Sequence, residues 1–195
     1  MERMPSLLVG QKHVSEDFIT KEEARDIVQK MPVFVSSVLV THLEEAEQIL
    51  PLAQFIGVNT IQLHSAIIPE EIQKIRRTLP FIKLLRCVHV IDESSLTEAL
   101  YYENYVDGIL LDTYNKDTHQ VGGTGLTHDW SISREIIRQC HKPVILAGGL
   151  NSYNVEKVKQ DLKPYAVDVN SGVKNDKGYK DYDKLKTFLA ICKAP

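Results

Sequence analysis

The chain has 195 residues, 43% of them hydrophobic and 25% charged, an ordinary globular composition that predicts one domain spanning residues 1–195. Its formal charge of −3, and the lack of a dense Lys/Arg face interleaved with aromatics, exclude a nucleic-acid partner; no stretch is long enough for a membrane span, and no basic-then-apolar leader precedes Met4-Pro5-Ser6-Leu7. Cys87, Cys140 and Cys192 are an odd number with no CxxC spacing, which predicts reduced thiols in a cytoplasm and argues against a disulfide or zinc framework.

Apolar, β-branched runs recur along the chain at Ser6–Gly10, Val33–Val40, Thr60–His64, Phe81–Val88, Gly108–Thr113, Pro143–Gly148 and Ala166–Ser171. Several are hydrophobic nearly throughout, the pattern of parallel strands covered on both faces. Helical spacing fills the gaps. Thr20 to Glu23 and Thr41 to Glu44 each offer a capping box, and Pro69 suits the first turn of a helix. Further helices are predicted over Glu93–Tyr101, Ser131–Cys140, Tyr153–Leu162 and Asp181–Cys192. This alternation means parallel strands joined by right-handed crossovers. A doubly wound open sheet fits that pattern too.

Two glycine-rich turns stand at the ends of the last two runs. Ala147-Gly148-Gly149-Leu150 follows Pro143–Leu146, and Asn170-Ser171-Gly172-Val173 follows Ala166–Val169. Turns of this kind expose consecutive backbone N–H groups, and a following helix adds its positive end, so an anion is favoured. One such turn is commonly tight-turn geometry with no ligand. Two, in the last two units of a strand–helix chain and with a Ser hydroxyl on one, mark the place where (β/α)8 barrels bind phosphate. The expected fold is therefore a (β/α)8 TIM barrel, with seven strands recognised where a closed barrel has eight. The expected partner is a small phosphorylated sugar-derived ligand.

The stretch Leu110-Leu111-Asp112-Thr113, then Gly122-Gly123-Thr124-Gly125 and Asp129-Trp130, resembles phosphoribosylanthranilate isomerase of tryptophan biosynthesis. So do Leu146-Ala147-Gly148-Gly149-Leu150, Asn154-Val155 and Tyr165 through Val173, with weaker similarity upstream through Ile61-Gln62-Leu63-His64 to about Thr20. The resemblance implies a (β/α)8 barrel and an Amadori rearrangement, aminoaldose phosphate to aminoketose phosphate, that uses no cofactor and no metal. A general acid protonates the ribosylamine ring oxygen, a general base takes the proton from the adjacent carbon, and the enolamine becomes a ketone. Asp112 matches the acid. At the end of an apolar strand, partial burial would help it keep its proton. Gly148, Gly149, Ser171 and Gly172 match the phosphate turns, and Gly122 and Gly123 belong to a loop whose amides approach the ligand or which is simply a surface loop. Asp168, within an apolar strand, needs a partner and reads first as structural.

The chain departs from the family at its start. The strand carrying Lys-x-Cys-Gly, whose cysteine is the family's base, has no counterpart before Ser6, and Asp17 stands near the arginine that pairs with the anthranilate carboxylate. The nearest basic residues there are Lys12 and His13. Cys87 is the replacement base if it, and not Arg86, faces the barrel mouth; otherwise it is a buried inert thiol. His64 and His89, near strand ends, are the other possible bases. Cys140 and Cys192 fall on predicted helices as packing residues. A stave missing from a barrel exposes two strand edges, which predicts a homo-oligomer covering the gap or a truncated start. Three functions are open: this isomerase, a related barrel enzyme on another phosphosugar or phosphoribosyl compound, or a barrel that binds such a ligand without turnover.

Overall fold

A computed structural model describes residues 4–10, 17–115, 120–121 and 130–193 of the chain. They divide into two compact units, Met1–Cys87 with Tyr105–Asp107 and Val88–Asn104 with Gly108–Pro195.

In the first unit β1 (Ser6–Leu8), β2 (Val38–Thr41), β3 (Thr60–Leu63) and the first part of β4 (Lys83–Val90) pair in parallel, in that order. The helices between them are α1 (Lys21–Gln29), α2 (Ala46–Ile56) and α3 (Pro69–Thr78). Register stacks Leu7, Leu39, Ile61 and Leu84 in one row, and the last three are fully buried. Each strand has four or more apolar or β-branched residues at or beside it, so both faces can be covered, as parallel pairing requires. The capping box at Thr20 and Glu23 is formed, and Pro69 occupies the first turn of α3, where its missing N–H costs nothing.

Two expectations are corrected here. The run Val33–Val40 becomes a strand only from Val38, because Val35 N–H closes a turn onto Pro32 O (3.3 Å) and Phe34 takes φ 70°. A bulky side chain at that φ is incompatible with a strand. Thr41 caps no helix either. It ends β2, its hydroxyl donating to Gly10 O (3.0 Å), while the N-cap of α2 is Glu45 and the Ala46 N–H is taken by Glu71 Oε2 from α3 (2.8 Å).

In the second unit β5 (Gly108–Asn115), β7 (Val144–Leu146) and β8 (Ala166–Val167) pair in parallel, and β6 (Gln120–Val121) returns antiparallel on β5. Helix α4 (Ser94–Tyr102) packs on α5 (Trp130–Gln139), and α6 (Val155–Asp161) on α7 (Tyr182–Lys193). Ile109, Leu111, Ile136 and Leu146 are its largest fully buried side chains. The run Ala166–Ser171 is strand for two residues only; Ser171–Val173 winds into a 3₁₀ turn. Among the described residues seven strands pair in parallel within their units and alternate with helices, and the fold is of the (β/α)8 TIM-barrel type. Among the described residues no helix is long and apolar enough to cross a membrane.

Candidate active site

The second unit assembles most of the expected site. Register aligns Leu110 with Ile145 and Ile145 with Ala166. Side chains alternate along a strand, so Asp112, Ala147 and Asp168 project from the same face two residues further on, just past the end of the β5–β7 and β7–β8 pairing. The ladder runs up to that edge: Ala147 N–H donates to Leu111 O (2.7 Å) and Asp168 N–H to Leu146 O (2.9 Å).

Beyond Ala147 the chain turns through Gly148 (φ 82°) and Gly149 (φ 65°). Both values lie in the left-handed region that glycine enters without strain. A Cβ on Gly148 would lie 2.1 Å from Thr113 Oγ1, so this turn lies directly on the end of β5. Asn154 staples it, its Nδ2 donating to Gly149 O (3.0 Å) and its Oδ1 accepting the Asn151 N–H (2.9 Å). Among the described residues no backbone acceptor takes the Gly148 or Gly149 N–H. The second turn touches the first: a Cβ on Gly172 would lie 1.9 Å from Leu150 O. The two expected anion turns therefore form one continuous edge. Their following helices contribute little. Five residues separate Gly149 from α6, a helix of only seven residues.

Asp112 is 8% exposed, and its Oδ1 accepts the N–H of Thr113 (2.7 Å). Burial pushes its carboxyl up to about 6; the Thr113 N–H opposes that shift, and the negative charge of Asp168 adds to it. Asp168 is raised too, chiefly by burial, with the Lys180 ammonium and then the Val169 N–H pulling the other way. Two carboxyls whose environments both favour the neutral form share one sheet face, the setting in which an acid group is found near neutral pH. Along the chain, an aspartate inside an apolar run is the one signal of this pairing.

A family model described as N-(5'phosphoribosyl)anthranilate (PRA) isomerase matches residues 4–190. The chain belongs to this family. N-(5'-phosphoribosyl)anthranilate isomerase 2 of Methanosarcina mazei is 44% identical, over 94% of this chain and 81% of that protein. The crystal structure of phosphoribosyl anthranilate isomerase from Thermotoga maritima is 31% identical with a TM-score of 0.83, covering 99% of both chains. A further similar phosphoribosyl anthranilate isomerase structure (30% identity, TM-score 0.78, 99% of both chains) holds reduced 1-(o-carboxyphenylamino)-1-deoxyribulose 5-phosphate. Membership makes the chain an isomerase and carries the tryptophan-biosynthesis assignment that the resemblance implied.

The remaining family positions fall elsewhere. Gly122 and Gly123, with Lys12 and His13, lie outside the described residues. In the first unit Cys87 is fully buried, and its Sγ lies within 4.8 Å of a ring nitrogen of His64. His64 is itself buried, with Nδ1 3.2 Å from Gln62 Nε2 and its ring edge-on to His42 at 4.9 Å. Register puts Gln62 beside Leu85, so Gln62, His64, Leu85 and Cys87 share one face, and Arg86 takes the other. Arg86 Nη1 donates to Ser65 O (2.8 Å) and Leu63 O (3.3 Å). His89, in the second unit, is half-buried, and its carbonyl accepts from Ser95 Oγ (3.3 Å). Burial pushes the Cys140 thiol up to about 11, and the Glu103 carboxylate that accepts its Sγ–H (3.1 Å) adds to the shift; burial also raises Cys192. Both thiols are thereby kept protonated, as packing residues are.

Proposed function

We propose that the chain, acting as a single domain, catalyses the Amadori isomerisation of a phosphoribosyl arylamine, with N-(5'-phosphoribosyl)anthranilate as first candidate substrate. One observation carries the reading: a buried carboxyl poised near pH 6 stands on the same strand-end edge as two touching glycine turns. In this reading Asp112 is the general acid at the ring oxygen. The Gly148 and Gly149 amides, with Ser171 and Gly172, take the phosphate. Cys87 is the base for the adjacent carbon, and His64 beside it is the proton acceptor that makes its thiolate accessible. No cofactor enters the scheme, because ring opening, enolisation and ketone formation are all proton transfers. A cytoplasmic setting and a homo-oligomeric state go with this reading.

Purified protein supplied with phosphoribosyl anthranilate tests the proposal. Turnover that Asp112→Asn reduces by about 10²–10⁴-fold supports it. Binding of a phosphoribosyl compound without turnover, and unaffected by Asp112→Asn, favours a non-catalytic binder. Turnover of another phosphosugar alone, lost in Cys87→Ser, favours the related enzyme. Asp17 near the aryl-carboxylate position is the sequence feature that favours this last outcome.

A further inference from the structure

We propose that Lys180 is a positioning residue for the phosphate end of the substrate: by gripping Asn170 it sets the direction of the Ser171 and Gly172 N–H groups. This rests on the reading of the two glycine turns as the phosphate site, and deepens it by assigning a task to a residue outside that site.

The second turn stands where the sheet stops holding the chain. The β7–β8 pairing ends at Leu146 with Val167, and Asp168 N–H donates to Leu146 O (2.9 Å) just past it. From Asn170 to Val173 the chain is held instead by the loop that follows. Lys180 is carried back to the turn by an antiparallel bridge to Lys174. Asn175 braces the loop between them, its N–H donating to Tyr179 O (2.8 Å) and its Oδ1 accepting the N–H groups of Lys177 (3.0 Å) and Tyr179 (3.1 Å). The Lys180 ammonium donates to Asn170 O (2.9 Å) and also contacts Asn170 Oδ1. At the far end of the turn, Lys174 N–H donates to Ser171 O (3.0 Å) and Asp181 N–H to Val173 O (2.8 Å). Lys184 Nζ, donating to Lys174 O (2.8 Å), ties the loop to α7.

A trans peptide unit is planar, so its C=O and N–H point opposite ways. With Asn170 O held by Lys180, the Ser171 N–H is aimed away from the loop. Among the described residues no backbone acceptor takes the N–H of Ser171 or Gly172, which leaves both for an anion. The turn also leans on its neighbour, since a Cβ on Gly172 would lie 1.9 Å from Leu150 O. Were the Asn170–Ser171 peptide to flip, its carbonyl oxygen would stand where the N–H had been and repel a phosphate. A charged donor holds a carbonyl more strongly than a neutral one, so the Lys180 contact opposes that flip.

The test is a titration of the full ligand-free chain with inorganic phosphate, wild type against Lys180→Met and Lys180→Arg. Lys177→Met serves as a control that removes a charge from the same loop without touching Asn170, and amide hydrogen exchange at Lys174 and Asp181 is followed in each protein. Lys177 and Lys180 are both exposed, so these changes disturb little packing. The expected result is that Lys180→Met weakens phosphate binding about tenfold and speeds exchange at both amides, that Lys180→Arg restores most of the affinity, and that Lys177→Met behaves as wild type. With phosphoribosyl anthranilate, the loss in Lys180→Met falls on KM rather than on kcat. Equal phosphate affinity in wild type and Lys180→Met overturns the proposal. Equal weakening in Lys180→Met and Lys177→Met overturns it too, because the charge of the loop then accounts for the effect. A wild-type chain that binds no phosphate overturns the reading of the turns and the proposal with it. The expected phosphate results in a protein without turnover support the proposal and overturn only the isomerase reading.

Discussion

Gly148 and Thr113 are in direct contact, with no room between them for a methyl group: a Cβ on Gly148 would meet Thr113 Oγ1 at 2.1 Å and Thr113 N at 2.8 Å. Since Thr113 follows Asp112 and Gly148 opens the first glycine turn, this contact fixes how far the proposed acid stands from the proposed phosphate turn. Gly148→Ala should therefore unfold well below wild type, from overlap as well as from φ. Gly57 supplies the comparison. It has φ 80° but open space around its Cβ, so Gly57→Ala should cost only about 1 kcal/mol. Denaturant midpoints of the two variants check the order.

The Gly172 contact has a different readout. Its Cβ would strike Leu150 O at 1.9 Å and push the second turn off the first. Gly172→Ala should raise KM for the phosphorylated substrate by tenfold or more, as about 1.4 kcal/mol of anion binding corresponds to tenfold. Titration of the protein with inorganic phosphate should show the same loss.

Asp112 should trade stability for chemistry. Its folded carboxyl is near 6, and an unfolded aspartate ionises near 3.9, so the folded state binds more protons between those values and loses stability as pH rises through them. About two units correspond to at most about 3 kcal/mol at pH 7. Asp112→Asn should thus melt above wild type at pH 7, with the gap closing near pH 4, while its turnover is lost. In wild type, kcat should fall as pH rises past about 6 and the acid loses its proton.

Asp107 runs the opposite way. Burial works against its charge, but Leu84 N–H (2.9 Å), Arg76 Nη2 (3.0 Å) and the more distant Lys83 hold its carboxyl below the usual range. A depressed carboxyl stabilises above the unfolded value of about 3.9 and stops doing so as pH falls through its folded value. After discounting for solvent at Arg76, Asp107→Asn should cost about 1 kcal/mol at pH 7 and nothing in strong acid. Urea unfolding at the two pH values measures it.

Among the cysteines only Cys87 is assigned a chemical role. Cys87→Ser should reduce kcat by at least about 10²-fold, the usual contribution of a positioned base. Cys192→Ser, within α7, should leave kcat unchanged. A steady-state assay of the two variants decides between a working and a packing thiol at position 87.

The strand–helix rhythm, the capping box at Thr20, Pro69 at its helix start and the two glycine turns were all legible along the chain, because each depends on neighbours within a few residues. The false starts were local signals overruled from a distance. Thr41 has the spacing of a cap, yet its hydroxyl is drawn to Gly10, and α2 borrows Glu71 from another helix. The run Val33–Val40 has strand composition, but the turn at Pro32–Val35 delays the strand to Val38.

By itself the sequence determined the fold class and the family and singled out Asp112 and two glycine turns as candidates, since apolar periodicity and short glycine motifs are written in consecutive residues. Tertiary structure alone decided that the turns touch, that Asp112 is buried with its carboxyl pushed up to about 6, and that Asp168 bears on it. Those facts depend on packing and on Coulomb interactions between residues far apart in the chain, Leu150 with Gly172 and Asp112 with Asp168, and the strength of both is set by distance and exclusion of water.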